Sequence, residues 1–223
     1  MTSIYQQAMG AEFGRLHPEI RKRFGFSSAD GIASIGSGTM EEIWRGPFWT
    51  LPFLYLGSTR SILFPEQGRN VPFSIENYAY VDGFGRETVT WIRRFRGRRS
   101  RRFDAYMIFS DARQRIIDYL GTHEHLAVDI ELRADAQGAL CLRSGAQRFY
   151  EGPIAFSFPL LFSGVAEVRE SFDERIGRFR IDVAVRNRTW GPLFGYRGVF
   201  DVDYVDAPSV PGDVKPIREE RRE

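Results

Sequence analysis

The 223-residue chain contains 31 basic and 29 acidic residues, so its formal net charge is only +2 and gives no global field that would select nucleic acid as a partner. Apolar residues make up 43% and aromatic residues 14%, which is ample for the core of one large β domain. The single cysteine, Cys141, excludes an internal disulfide, and the absence of a signal-like N-terminus or a membrane-length apolar stretch predicts a cytoplasmic protein without a transmembrane segment.

The first part of the chain, to about Gly68, shows helical rather than alternating patterns. Ser3 is a suitable N-cap for one short helix, and His17 precedes a proline that opens a second. Residues 31–46 fit a strand or a loop that leads into a helix, and we favour the strand. Residues 48–64 are apolar and aromatic with prolines near both ends, which predicts a buried helical segment that plugs one end of a barrel.

From Val71 to Tyr204 the chain alternates between apolar and polar residues, most clearly over 178–185. This period of two is typical of half-buried strands, and the short turn-forming separators predict hairpins between sequence neighbours. The predicted strands are Val71–Val81, Arg86–Phe95, Arg102–Phe109, Arg115–Leu120, His125–Arg133, Ala139–Tyr150, Val165–Phe172, Arg178–Asn187 and Phe194–Tyr204.

A sheet of this size must curl or close to bury its apolar face and its edges. The predicted fold is therefore a large antiparallel curled sheet or β-barrel, calycin-like, with N-terminal helices across one end. A helix-grip α+β fold is the alternative. We expect one β-rich domain over residues 1–205, with a helical segment over about 1–68, and a disordered tail over the charged, proline-rich residues 206–223. Both folds enclose a pocket.

Two interruptions of the alternation predict where the mouth of the barrel lies. Residues 151–164 are too apolar for a solvent loop and fit a segment that crosses the mouth. Residues 190–198 contain glycines at Gly191, Gly195 and Gly198, which indicate close backbone approach or a sharp bend before the last strand.

Several motifs in order carry a resemblance to a known family. They are Ile75-Glu-Asn-Tyr-Ala-Tyr80, Gly85-Arg-Glu-Thr-Val-Thr-Trp91, Asp118-Tyr-Leu-Gly-Thr-His-Glu-His-Leu126, Ser144-Gly-Ala-Gln-Arg-Phe-Tyr-Glu-Gly-Pro153 and Trp190-Gly-Pro-Leu-Phe-Gly-Tyr-Arg-Gly198. From about Ile4 to Tyr204 the chain resembles a bacterial family filed as domain of unknown function 4166. Members of that family occur alone, on a membrane protein, or behind Rossmann-type domains resembling saccharopine dehydrogenase or nucleotide-sugar epimerases. The resemblance implies a Rossmann-type oxidoreductase as a partner and supplies no catalytic residue.

The pair His123 and His125 is the strongest candidate for chemistry. On a strand that begins at Thr122, both imidazoles would point to one face and could ligate a metal, with Asp129 as a further ligand. A later-strand histidine that such a site requires is missing, so the simpler interpretation is local hydrogen bonding at a barrel rim. We assign neither a catalytic nor a metal site to these residues.

Aromatic residues beside arginines suggest contacts with the polar head of an amphipathic ligand, because guanidinium binds planar anions while the ring packs on an apolar chain. Salt bridges at the sheet ends are the equally weighted alternative. The predicted ligand-binding residues are Glu76, Trp91, His123, His125, Arg148, Tyr150, Trp190, Tyr196 and Arg197.

The run Arg93–Arg102 is the sharpest local charge feature. Such a run could contact anionic lipid headgroups or an RNA backbone, but it falls at an expected hairpin, where a solvated turn is the ordinary interpretation.

The function predicted from these patterns is the binding of a small hydrophobic or amphipathic molecule in the barrel, in the service of an oxidoreductase. No nucleotide-binding or hydrolase motif occurs in the sequence, so no cofactor and no nucleic acid is predicted. An enzyme that uses His123 and His125 is the second hypothesis, and a membrane-surface or protein-interaction module that uses the arginine hairpin is the third.

Overall fold

The computed structural model describes residues 2–158, 164–189 and 191–223. Three short α-helices occur in these ranges: α1 (Ile4–Met9), α2 (Pro18–Phe24) and α3 (Leu51–Ser58). No helix in these ranges is both long and apolar enough to cross a bilayer. The strands are β1 (Ile32–Arg45), β2 (Gly68–Val81), β3 (Glu87–Arg96), β4 (Ser100–Ser110), β5 (Arg115–Leu120), β6 (Leu126–Ala134), β7 (Leu140–Glu151), β8 (Ile154–Ser157), β9 (Val165–Asp173), β10 (Arg178–Asn187) and β11 (Gly191–Asp206).

Ten of these strands form a closed antiparallel barrel. Sequence neighbours pair from β1 to β7 and from β9 to β11, and the ring is completed by the pairing of β7 with β9 and of β11 with β1. The short strand β8 pairs with the end of β7 and stands outside the ring. The predicted barrel is therefore confirmed. The helix-grip alternative is not adopted, because the sheet closes on itself.

Tight contact between β1 and β11 explains the glycines in both strands. A Cβ atom on Gly38 would lie 2.1 Å from the carbonyl oxygen of Val199, and one on Gly195 would lie 2.3 Å from the indole ring of Trp44. Glycine is needed here because no side chain fits between the coiled strands. This is the close approach that the glycines of residues 190–198 indicated.

The helices α1 and α2 close one end of the barrel, here called the floor. Ser3 caps α1 through a reciprocal capping box with Gln6, and Pro18 opens α2 behind the His17 cap. In the interior the hydroxyl of Tyr5 accepts a hydrogen bond of 2.7 Å from Nε1 of Trp91. A fully buried ion pair between Arg23 and Glu170 ties α2 to β9. The opposite end, here called the mouth, carries α3.

The prediction was a disordered tail over residues 206–223. In the structure Asp206 ends β11, and the residues after it make contacts along the outer face of β3–β6. Val214 is 1% exposed within a second apolar cluster that includes Ile92 and Tyr106. The Nη2 atom of Arg86 donates to the carbonyl oxygen of Glu220 at 2.8 Å. Composition alone misled here, because the charges and carbonyl groups of the tail find partners on the sheet.

Replacing Val214 by Asp should lower the free energy of unfolding, because it puts a carboxylate into an apolar cluster and removes a buried apolar side chain. We expect a loss of about 2 kcal/mol or more, measured by urea unfolding. Ile217→Asp is the matched control, since Ile217 is 74% exposed, and it should leave the midpoint unchanged. Equal midpoints for both variants would mean that the tail does not pack on the barrel.

Candidate functional site

The barrel encloses a cavity of about 810 Å³ that extends from its interior to α3. Its walls consist mostly of inward-facing apolar side chains from alternate strand positions. On β6 these are Val128 and Ile130, and on β10 they are Val183 and Val185. The strict alternation of these strands therefore makes one apolar face that lines a space rather than filling it.

The inner end of the cavity is bounded by a small polar chain. The Tyr5 hydroxyl, which accepts from Trp91, donates to the sulfur of Met107 at 3.4 Å, and both Trp91 and Met107 line the cavity. Burial raises the pKa of Tyr5 far above its usual value, so this hydroxyl stays protonated. The chain fixes the Trp91 ring against the helices that form the floor.

Arg93 projects a buried guanidinium group into the cavity wall. Its side chain is 4% exposed, its Nε donates to the carbonyl oxygen of Phe103 at 3.3 Å, and its Nη1 donates to the hydroxyl of Tyr196 at 3.3 Å. The guanidinium lies 3.7 Å from the centroid of the Phe103 ring. Among the described residues no carboxylate lies within 4.0 Å of it, so its charge lacks a paired anion.

Asp118 is the second ionisable group in the cavity wall. It is 7% exposed, and its Oδ1 atom is buried without a hydrogen-bond partner among the described residues. Desolvation raises the pKa of this carboxyl to about 7, although the charge of Arg93 acts in the opposite direction. Asp118 thus presents a carboxyl group that is neutral over much of the acidic range and has an unused hydrogen-bonding atom.

The mouth is covered in part by α3 and the segment that follows it. Leu54 is 2% exposed and points into the cavity, while Phe53 and Leu56 stand at its edge and are 73% and 70% exposed. The N–H of Thr122 donates to the carbonyl oxygen of Arg60 at 2.9 Å, which holds this segment against the start of β6. A second backbone hydrogen bond, from the N–H of Asp104 to the carbonyl oxygen of Ser61 at 2.8 Å, and the ion pair of Glu66 with Arg101 hold the same segment.

His123 and His125 lie together on the rim rather than on a strand face, because β6 begins only at Leu126. Their rings stack with centroids 5.3 Å apart, and His125 lies 2.7 Å from a carboxylate oxygen of Glu151. Partial burial, with the charge of Arg60, lowers the pKa of His123. The described residues contain no group of three or more potential ligands that could hold a metal ion.

Among the predicted binding residues, Trp91 and His125 line the cavity, Tyr196 contacts Arg93 beside it, and His123 stands on the rim. Trp190 lies outside the described residues, as do residues 159–163 of the predicted crossing segment. The remaining predicted residues are not part of the cavity lining: Glu76, Arg148, Tyr150 and Arg197.

Strand parity explains these outer positions. Phe149 and Glu151 line the cavity. Because side chains alternate along a strand, Arg148 and Tyr150 face outward. Outside the barrel, Arg148 pairs with Asp129 at 2.6 Å, and the Tyr150 hydroxyl donates to the carbonyl oxygen of Glu223. In the same way Glu76 pairs with Arg94, and Arg197 pairs with Glu42 at 3.0 Å.

Sequence reasoning missed Arg93 and Asp118, although a signal for both was present. Arg93 occupies the same face of β3 as Trp91 and Phe95, and Asp118 occupies the same face of β5 as Ile116 and Leu120. A charged residue within an apolar alternation faces the same side as its apolar neighbours. Both side chains accordingly line the cavity.

Asp118 should make the protein less stable as the pH rises. Its folded-state pKa of about 7 exceeds its ordinary value of 3.8, so between these values the folded protein holds a proton that the unfolded chain has lost. Stability therefore falls across this window, by at most about 4 kcal/mol from this group. Asp118→Asn should remove this part of the slope in urea unfolding measured across the window. Parallel profiles for the two proteins would contradict the assignment.

Comparisons with known proteins place the chain in a family. The uncharacterized protein YndH of Bacillus subtilis (strain 168) is 33% identical over 201 residues, which cover 90% of this chain and 97% of that protein. The sequence signature of a family described as a domain of unknown function matches residues 16–200. The chain therefore belongs to this family, DUF4166.

Proposed function

We propose that the barrel binds a small amphipathic molecule whose apolar body fills the cavity and whose acidic head meets Arg93. The observation that carries this proposal is the combination of an apolar cavity of about 810 Å³ with a buried guanidinium group in its wall. Cavities of this size and character are typical of small-molecule sites in proteins.

The apolar walls supply the main driving force for binding. Transfer of apolar surface from water is worth about 25 cal/mol per Å², so a single hydrocarbon chain gains several kcal/mol on entering. An apolar ligand also restores van der Waals contacts that the inward side chains lack across an open space. These two terms favour an extended apolar body over a compact polar metabolite.

Arg93 and Asp118 favour an acidic head. A buried cation is costly without a counter-ion, and a ligand carboxylate or phosphate would supply one. At a pH below about 7 the protonated Asp118 can donate its O–H to the same head, whereas the ionised form would repel it. The two groups together support an anion that binds best when Asp118 carries its proton.

We further propose that the bound molecule is passed to a Rossmann-type oxidoreductase in the cytoplasm. The support for this partner is what the family resemblance implies about Rossmann-type domains. In this proposal the chain holds and delivers its ligand and does not transform it, with His123 and His125 acting as hydrogen-bonding groups at the rim.

Filling the cavity should abolish ligand binding. Val168 lines the cavity on β9, and Val168→Trp would place an indole where the ligand body lies. We expect the binding of a dansyl-labelled fatty acid, followed by fluorescence titration, to weaken by about a hundredfold. Val199→Trp is the matched control, since Val199 is partly exposed on β11 and does not line the cavity. Equal affinities would show that the probe binds elsewhere.

Removing the charge of Arg93 should weaken binding of the ligand's acidic head without weakening binding of its apolar body. Arg93→Met keeps an unbranched side chain, so the labelled fatty acid should bind about tenfold more weakly while its methyl ester is little affected. In the wild type, affinity for the acid should fall as the pH rises past about 7, and Asp118→Asn should flatten that dependence. A matching loss for acid and ester would refute the head assignment and leave the cavity as a purely apolar site.

A further inference from the structure

We infer that the mouth of the barrel docks on an anionic lipid bilayer. Among the described residues, seven of the twelve exposed large apolar side chains lie at this end, on α3 and its approach or on β8. They are Phe48, Trp49, Phe53, Tyr55, Leu56, Ile154 and Phe156. Exposed aromatic and leucine side chains in one rim are the kind of surface that enters the headgroup region of a bilayer.

Exposed arginines stand beside this rim. The hairpin between β3 and β4 reaches the same end, because Arg101 near its tip pairs with Glu66 just after α3. Arg96, Arg98 and Arg99 are exposed, and in the described part of the chain none of them has a carboxylate within 4.0 Å. Unpaired basic groups next to apolar side chains match an anionic lipid surface.

The opposite end of the barrel carries fewer exposed large apolar side chains. Aspartates stand at or beside its four hairpin turns, and three of them pair with arginines: Asp82 with Arg86, Asp135 with Arg169 and Asp173 with Arg180. A negative surface therefore attracts the unpaired arginines of the mouth, where the exposed apolar side chains also lie. The exposed apolar side chains of the rim belong to α3, its approach and β8, so they are spread around the cavity opening, which fits a fluid surface.

The docked orientation puts the cavity opening against the lipid. A ligand taken from or returned to the bilayer would then cross no water, because Phe53 and Leu56 belong to both the rim and the cavity edge. This use of the surface rests on the proposed function, whereas docking itself does not.

Vesicle co-sedimentation without added ligand tests the docking. The wild type should bind vesicles of equal parts phosphatidylglycerol and phosphatidylcholine and bind phosphatidylcholine alone far more weakly. Arg98→Gln with Arg99→Gln should weaken binding to the anionic vesicles by roughly 30-fold. Phe48→Ser with Tyr55→Ser should weaken it by about tenfold, and neither side chain lines the cavity.

The matched control lies at the floor. Arg175→Gln with Ile176→Ser removes one exposed arginine and one exposed apolar side chain from the turn after β9, and vesicle binding should be unchanged. The inference is overturned if the mouth variants bind like the wild type, if the control loses binding equally, or if sedimentation shows that the rim joins two copies of the chain. Binding of the labelled fatty acid by the same variants reports on the cavity independently, so the two proposals can fail separately.

Discussion

The pairing of β6 with β7 is the constraint on which the rest of the structure depends. Every other neighbouring pair could form in an open curled sheet, but this ladder turns the sheet into a ring without edges. Once the ring is closed, inward side chains from opposite walls face one another across a fixed distance. The cavity, the inward orientation of Arg93 and Asp118, and the need for covers at both ends all follow from it.

The two ends of the barrel are closed by different interactions. At the floor the helices are fixed by specific polar contacts, among them the buried pair of Arg23 and Glu170, where desolvation raises the pKa of the carboxyl while the guanidinium opposes that rise. Breaking such a pair leaves a buried charge without compensation, so the floor is held shut. At the mouth, α3 is held by Leu54 and by backbone hydrogen bonds of the segment behind it. One end is thus closed by a buried ion pair, and the other by one buried side chain and backbone hydrogen bonds.

The period of two was enough to predict the barrel, and the bounds of β5 and β10 agree with the prediction to the residue. Alternation is a local property of the sequence, so strands can be predicted from it without knowing which strands pair with each other. The candidate site was harder, because it depends on which parity faces inward. From sequence, Phe149 and Tyr150 are equally plausible as cavity residues. Only the closed ring determines that Phe149 faces the cavity and Tyr150 faces outward. The contacts of the tail could not be predicted for a related reason, since its partners are distant in sequence.

The packed tail has a mechanical consequence for the wall beneath it. Strands β3–β5 are covered by the cavity face inside and by the tail outside, and nearly all of their central residues are buried. Strands β9 and β10 have water on their outer face. Local opening costs least where fewest apolar contacts are lost. The barrel is therefore stiff on the side that carries Arg93 and Asp118, and any widening that admits a bulky ligand falls to the opposite wall.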